Sequence, residues 1–176
     1  MEELLYLSTA EEKDIPRILE IEQEAISPSW THGALLSETY RDDSFFAVAV
    51  NADSDLRRGN VEGFAPDVGP EAENESKESG KILGFVILRK TSEDEGELLQ
   101  IAVDYDARRS GIADMLIRSA LAFADEKEIK SVFLEVRISN ISAISLYKKH
   151  GFSAIRTRID YYSDPVENAI VMKLII

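Results

Sequence analysis

With 176 residues, 44% of them hydrophobic, the chain can build a core of ordinary size, and residues 1–176 read as a single domain. It has no cysteine, which excludes disulfides, thiolate metal sites and a cysteine nucleophile, and its two histidines, His32 and His150, stand too far apart in sequence to suggest a metal site. A net charge of −13 argues against nucleic acid as the main ligand; no stretch approaches the roughly 18 apolar residues of a membrane span, and the acidic start Met1-Glu2-Glu3 is no secretory signal, so a soluble, cytoplasmic protein is expected.

Leu4 to Leu7 read as a short strand, and Thr9-Ala-Glu-Glu12 has the spacing of a capping box. Asp14 before Ile15-Pro16 is a second helix start, with Ile15, Ile18, Leu19 and Ala25 roughly on one face and Ser27-Pro28-Ser29 as the break. Thr31 can cap a short second helix carrying Leu35 and Leu36, and Phe45 to Val50 is a strongly apolar strand. From about 51 to 81 the pattern collapses into Asp, Glu, Asn, Ser, Gly and Pro, with Leu56, Val61, Phe64 and Val68 as scattered apolar residues. Such a stretch cannot offset the entropy of ordering from its own contacts, and a disordered acidic insertion is expected. Ile82 to Leu88 is a strand, Ser92 to Gly96 a charged turn, and Glu97 to Val103 a further strand in which Leu99 and Val103 read as core. Ala113, Leu116, Ile117, Ala120, Leu121 and Ala124 then recur at helical spacing. Ser131 to Val136 is a strand, Ile141 to His150 a helix stopped by Gly151, and Phe152 to Ile159 and Ala169 to Ile176 are closing strands. Four helices and about seven strands, mixed as ββ and βα, predict an α/β (α+β) fold around one central sheet.

Between the strand ending at Val103 and the following helix stands "ARRSGIA", Ala107 to Ala113. A helix N-terminus leaves backbone N–H groups unpaired at the positive end of the macrodipole, and Gly111 and Ala113 keep side chains out of a phosphate's way. Arg108 and Arg109 add charge. The stretch matches neither a P-loop nor GxGxxG, and a plain strand-to-helix turn explains it equally well. Glu135 sits inside the apolar strand Val132 to Val136, either ion-paired, with Arg137 on the same face, or raised in pKa by desolvation. Tyr147 falls on a helix face that packing alone would explain, Asn140 can be a helix N-cap, and His150 suits a helix C-terminus. Tyr161-Tyr162 reads as a turn between the last two strands.

"RRSGIA" fits Arg/Gln-x-x-Gly-x-Gly/Ala, the pyrophosphate signature of the GNAT superfamily of acyl-CoA N-acyltransferases. "FLEVRISNISAISLYKKHGF", Phe133 to Phe152, resembles the signature of RimI-type acetyltransferases, which acetylate the N-terminal residue of a ribosomal protein. "IAVD" at Ile101 to Asp104 and the tail "DYYSDPVENAIVMKL" look similar too. The resemblance covers Ile82 to Ile176 well and the first fifty residues loosely, with Ser29-Trp30-Thr31 where the family carries Pro-Trp-Ser.

The resemblance implies a GNAT fold: a single mixed, mostly antiparallel sheet flanked by helices. It implies acetyl-CoA as co-substrate, with its pyrophosphate at Arg108, Arg109, Ser110, Gly111, Ile112 and Ala113. The backbone of Ile101, Ala102 and Val103 would serve the pantetheine arm, and Asn140 would contact coenzyme A. It gives Glu135 as general base, Tyr147 as general acid and Tyr161 and Tyr162 as the acceptor peptide's entrance. Asn168 departs from the acidic residue that relatives often carry. The implied partner is a protein N-terminus, ribosomal in the relatives, whose α-amine attacks the thioester directly in a ternary complex; a monomer or weak dimer is expected, with no metal, nucleic acid or membrane. Acetylation of a small amine, or a catalytically silent acyl-CoA-binding module, are the alternative readings.

Overall fold

The computed structural model describes residues 3–25, 29–53 and 80–176. Seven strands lie in one sheet: β1 (Glu3–Thr9), β2 (Ser44–Asp53), β3 (Lys81–Lys90), β4 (Glu95–Val103), β5 (Ser131–Arg137), β6 (Ser153–Ser163) and β7 (Val166–Ile175). Their order is β1-β2-β3-β4-β5-β7-β6, antiparallel throughout except between β4 and β5. The described helices are α1 (Ile15–Ala25), α2 (His32–Thr39), α3 (Ile112–Glu126) and α4 (Ile141–Lys149). None is long and apolar enough to cross a membrane.

Alternation along the strands separates two cores. Ala47, Ala49, Val86, Leu88, Val132, Leu134 and Val136 meet Leu116, Ile117 and Ala120 of α3 and Ile144 and Tyr147 of α4. Phe46, Val48, Val50, Phe85 and Ile87 point the other way, against Ile15, Ile18 and Ile21 of α1 and Leu35 of α2. A bulge in β4 sets Leu88 opposite Leu98 and Ile87 opposite Gln100, so Leu99 is the extra residue. Beyond it Gln100 and Ala102 face α1, while Ile101 and Val103 pack toward α3. Leu99 and Val103 are half-buried, in keeping with a core role.

Several boundaries differ from expectation. The capping carboxylate is Asp14, which accepts the Glu11 N–H at 2.9 Å and opens a 3₁₀ turn; Thr9 belongs to β1. Thr31 caps α2 as expected, accepting the Ala34 N–H. β2 runs on to Asp53 and β3 starts at Lys81, with Asn51 opposite Lys81, so cross-strand pairing claims both ends of the acidic stretch. Residues 54–79 of that stretch lie outside the described residues, as does most of the break at Ser27-Pro28-Ser29. β6 extends through Tyr161 and Tyr162 to Ser163, and β7 begins at Val166.

One buried polar pair ties α1 to the sheet. Glu22 has no exposed surface; its Oε1 accepts the Trp30 N–H at 2.6 Å and the Gln100 Nε2–H at 2.7 Å. Its Oε2 and the Gln100 Oε1 are buried without hydrogen bonds. Burial pushes the Glu22 carboxyl up from its ordinary value. A carboxyl raised in the folded state stabilises the fold less and less as pH climbs from the ordinary carboxylate range through the raised value. Glu22→Gln keeps the shape and replaces the buried anion with a neutral donor. It is expected to stabilise the fold at neutral pH by about 1 kcal/mol and to flatten the fall of Tm between mildly acidic and mildly alkaline solution, as thermal unfolding at the two pH values will show.

Candidate active site

The corner before α3 begins with Asp104, whose carboxylate accepts the Asp106 N–H at 3.0 Å and opens a 3₁₀ turn over Tyr105–Ala107. Arg108 stacks over the Tyr105 ring at 5.1 Å and donates from Nε to the Val103 carbonyl at 3.2 Å, lashing the corner to the end of β4. Of the strand groups expected to serve a ligand, the Val103 carbonyl is therefore engaged. Arg109 and Gly111 both have positive φ, 65° and 87°, a conformation natural to glycine. Among the described residues, no atom beyond its chain neighbours lies within 4 Å of the Cβ position of Gly111. The first α-helical bond runs from the Met115 N–H to the Gly111 carbonyl at 3.0 Å, which leaves the amides of Ile112, Ala113 and Asp114 without helical acceptors. Ser110 turns its hydroxyl back to the Ala107 carbonyl, and Ile112 is a core residue, so the backbone is what these two offer. Asp114 behind them is paired with Lys149 and Arg118 and hydrogen-bonded to His150, and these hold its carboxyl well below the usual range. His150, expected only as a helix terminus, thus also meets a carboxylate, at 3.0 Å. The corner fits an anion: open amides, a glycine with space above it and two arginines.

Next to the corner the sheet parts. The parallel ladder of β4 and β5 consists of Glu95–Ser131, Gly96–Val132 and Glu97–Phe133, yet β4 continues to Val103 and β5 to Arg137. The facing backbone edges beyond Glu97 and Phe133 lack a ladder partner and form a split that joins the two faces of the sheet. Leu134 and Val136 belong to the core under α3 and α4, so Glu135 between them points to the opposite face. Glu97 points the same way, beside the core residue Leu98. Its carboxyl is raised by burial and by the charge of Glu135. Tyr147 lies on the other face, buried in the α3–α4 core with the Phe152 ring 5.9 Å away. Burial pushes its phenol above the ordinary value, and Tyr162 adds to the shift. A carboxylate thus stands on one side of the split and a protonated phenol on the other.

The Glu135 carboxylate is paired with Arg158 of β6; Arg137 goes instead to Glu167, at 3.1 Å. The expected pair Glu135–Arg137 is corrected by the strand order, because β7 and β6 bring their own charges to this face. Tyr161 and Tyr162 lie in β6, not in a turn. Between Arg158–Ala169 and Tyr162–Glu167 the strand carries extra residues, with Asp160 at a positive φ of 49°. The bulge sets the tyrosine rings 5.1 Å apart, edge to face, although neighbours in a regular strand would diverge. Asn168 has a definite role here: its Oδ1 accepts the Asp160 N–H at 2.9 Å and pins the bulge. The Arg158 guanidinium lies 4.2 Å from the Tyr161 ring centre and that of Arg137 4.1 Å from Tyr162. Hydrogen bonding to Glu135, with burial, pushes the Tyr161 phenol up to about 12. Asn140 is the N-cap of α4, accepting the Ala143 N–H at 3.1 Å.

Glu97, Arg158 and Glu167 were not legible as site residues in the sequence. Alternation puts Glu97 on the face of Glu135 only once the adjacent strands are known, and Arg158 and Glu167 reach the site across a strand order that no local pattern encodes.

Comparison with known proteins gives this geometry its family. The Acetyltransferase (GNAT) family matches residues 15–152. A [Ribosomal protein bS18]-alanine N-acetyltransferase of Escherichia coli (strain K12) is 36% identical over 99 residues, 55% of this chain and 66% of that enzyme, so the matched part falls just short of two thirds of the relative's length. The enzyme of the same description from Haemophilus ducreyi is 30% identical over 171 residues, 96% of this chain and 98% of its own. Among solved structures, Ard1 from Thermoplasma volcanium superposes with a TM-score of 0.77 at 28% identity, covering 98% of this chain and 97% of that one. With a sheet that splits between its parallel strands and a family match across more than half its length, this chain belongs to the GNAT acetyltransferase family.

Proposed function

We propose that the chain, as a single domain, transfers the acetyl group of acetyl-CoA to the N-terminal α-amine of a protein, by direct attack in a ternary complex. The observation that carries the reading is the split between β4 and β5 with Glu135 on one face and Tyr147 on the other. The thioester seated in that split has the acceptor side before it and the coenzyme side, where the α3 corner lies, behind it.

Each residue then has a task. The amides opened by Gly111, with Arg108 and Arg109, hold the pyrophosphate. The free edge of β4 at Ile101 and Ala102 meets the pantetheine arm, and Asn140 contacts coenzyme A while it caps α4. Glu135 takes the proton that the amine loses as nitrogen bonds the carbonyl carbon. Tyr147 gives its proton to the sulfur as the carbon–sulfur bond breaks, and the phenol is reprotonated as the proton held by Glu135 returns to solvent. In solution phenol and thiol pKa values lie near each other, about 10 and 8.5; burial of Tyr147 raises its phenol, so it enters the step protonated throughout the neutral range.

Tyr161 and Tyr162 narrow the approach, and the relatives named for acetylating an N-terminal alanine support an α-amine as acceptor. An α-amino group has a pKa of about 7.7–8.0 against about 10.4 for lysine, so one carboxylate suffices to supply its neutral form. Two peptides test the reading, one with a free N-terminus and no lysine, the other N-terminally blocked with one lysine. Only the first should be acetylated efficiently; equal rates would refute the assignment. Tyr161→Ala and Tyr162→Ala should each raise the peptide KM several-fold and leave acetyl-CoA affinity unchanged.

A further inference from the structure

We propose that Arg158 is a positioning residue for the transfer step: it aims the Glu135 carboxylate and, together with Arg89, offsets the charge of Glu97 on the same face. The proposal rests on the reading of Glu135 as base.

Arg158 lies on β6, the outer strand of the sheet, and Glu135 on β5, with β7 between them. Spanning two strand spacings, roughly 10 Å, takes the full length of an arginine. The strand between leaves the way open: Ala169 of β7 is in register with both Arg137 and Arg158. It is fully buried. Arg158, Tyr161, Tyr162 and Arg137 form a row in which two packed rings lie between two cations, closed by a carboxylate at each end, Glu135 and Glu167. One planar guanidinium serves both of its neighbours, bonding Glu135 in its plane and stacking on Tyr161 through its face, which a lysine cannot reproduce. The bulge pinned by Asn168 holds the same row together.

A purely structural role does not account for this arrangement. The Arg158 side chain is 44% exposed on an edge strand, and ion pairs in such places contribute little stability. The surrounding charge does call for a cation. Among the described residues Glu97 has no salt-bridge partner; it feels the repulsion of Glu135 and the attraction of Arg89, its cross-strand neighbour, and of Arg158. Two carboxylates near one another tend to share a proton unless a cation separates them. Removing Arg158 takes away the charged partner of Glu135, leaving the Tyr161 hydroxyl to hold it, and weakens the positive field at Glu97.

A double-mutant cycle on the full chain tests this, with kcat for a free-N-terminus peptide as readout and the acetyl-CoA-induced rise in Tm as control for fold and coenzyme binding. Arg158→Gln is expected to lower kcat about 10-fold or more, the range of coupling between residues in contact, with the Tm rise unchanged. Arg158→Lys should recover part of the loss, since it restores charge without the stack. In a Glu135→Gln background, Arg158→Gln should cost nothing further, because it acts through that carboxylate. Unchanged kcat in Arg158→Gln, or an equal loss in both backgrounds, would overturn the proposal. Full activity of Glu135→Gln alone would instead remove the base from the mechanism, and the positioning role with it.

Discussion

Glu135→Gln is expected to lower kcat for peptide acetylation by about 10²–10⁴-fold, the usual contribution of a general acid or base, with acetyl-CoA affinity nearly unchanged. Glutamine keeps the size of the side chain and an oxygen for Arg158, so the loss isolates proton acceptance. The carboxylate is half-buried on the face of the split away from the coenzyme corner, which is why coenzyme binding should not register the change. Tyr147→Phe should give a loss of the same order from the opposite face. Its ring packs among Ile144, Phe152 and the α3 core, and that packing survives loss of the hydroxyl. Steady-state kinetics with peptide and acetyl-CoA varied in turn, alongside thermal shift, separate the two effects. Full activity in both variants would assign the protons to water or to other residues.

Gly111→Val should abolish the thermal stabilisation that acetyl-CoA confers. A ligand at about 100 times its Kd stabilises by about 2.7 kcal/mol, a shift readily measured in the parent protein. The valine acts in two ways that can be told apart. At φ 87° a branched side chain is strained, which should lower the Tm of the ligand-free protein through a cost of about 1–3 kcal/mol. The space above the Gly111 Cβ position is free of the other described residues, so the added methyls would obstruct what approaches the amides rather than the fold itself. Gly111→Ala carries most of the backbone strain with less bulk and should keep part of the ligand shift. A full acetyl-CoA shift in Gly111→Val would make the corner a plain strand-to-helix turn.

Local chemistry told most of the elements from the sequence. The 3.6-residue rhythm of Leu116, Ile117, Ala120 and Ala124 named the buried face of α3, and Thr31 and Asn140 named their own helix starts. The corner at Gly111 was legible because a positive φ and open amides depend on a few consecutive residues. Glu135 stood out as a carboxylate inside an apolar strand and Tyr147 as a phenol on an apolar helix face, while their roles came from the family resemblance.

Partners across strands were not legible. The sequence placed Arg137 beside Glu135, two residues on and on the same face, but β7 brought Glu167 to Arg137 and β6 brought Arg158 to Glu135. Tyr161 and Tyr162 looked like a turn because two tyrosines before Ser-Asp-Pro resemble a loop end; a bulge held by Asn168 keeps them inside β6 on one side of it. Glu97 became a site residue only when the β4–β5 ladder stopped at that position. Periodicity and capping are short-range, so single stretches of chain determined the helices, most strand cores and the anion corner. Strand order, register and the place where two strands part are set by packing between distant segments, and these decided which charges meet in the active site.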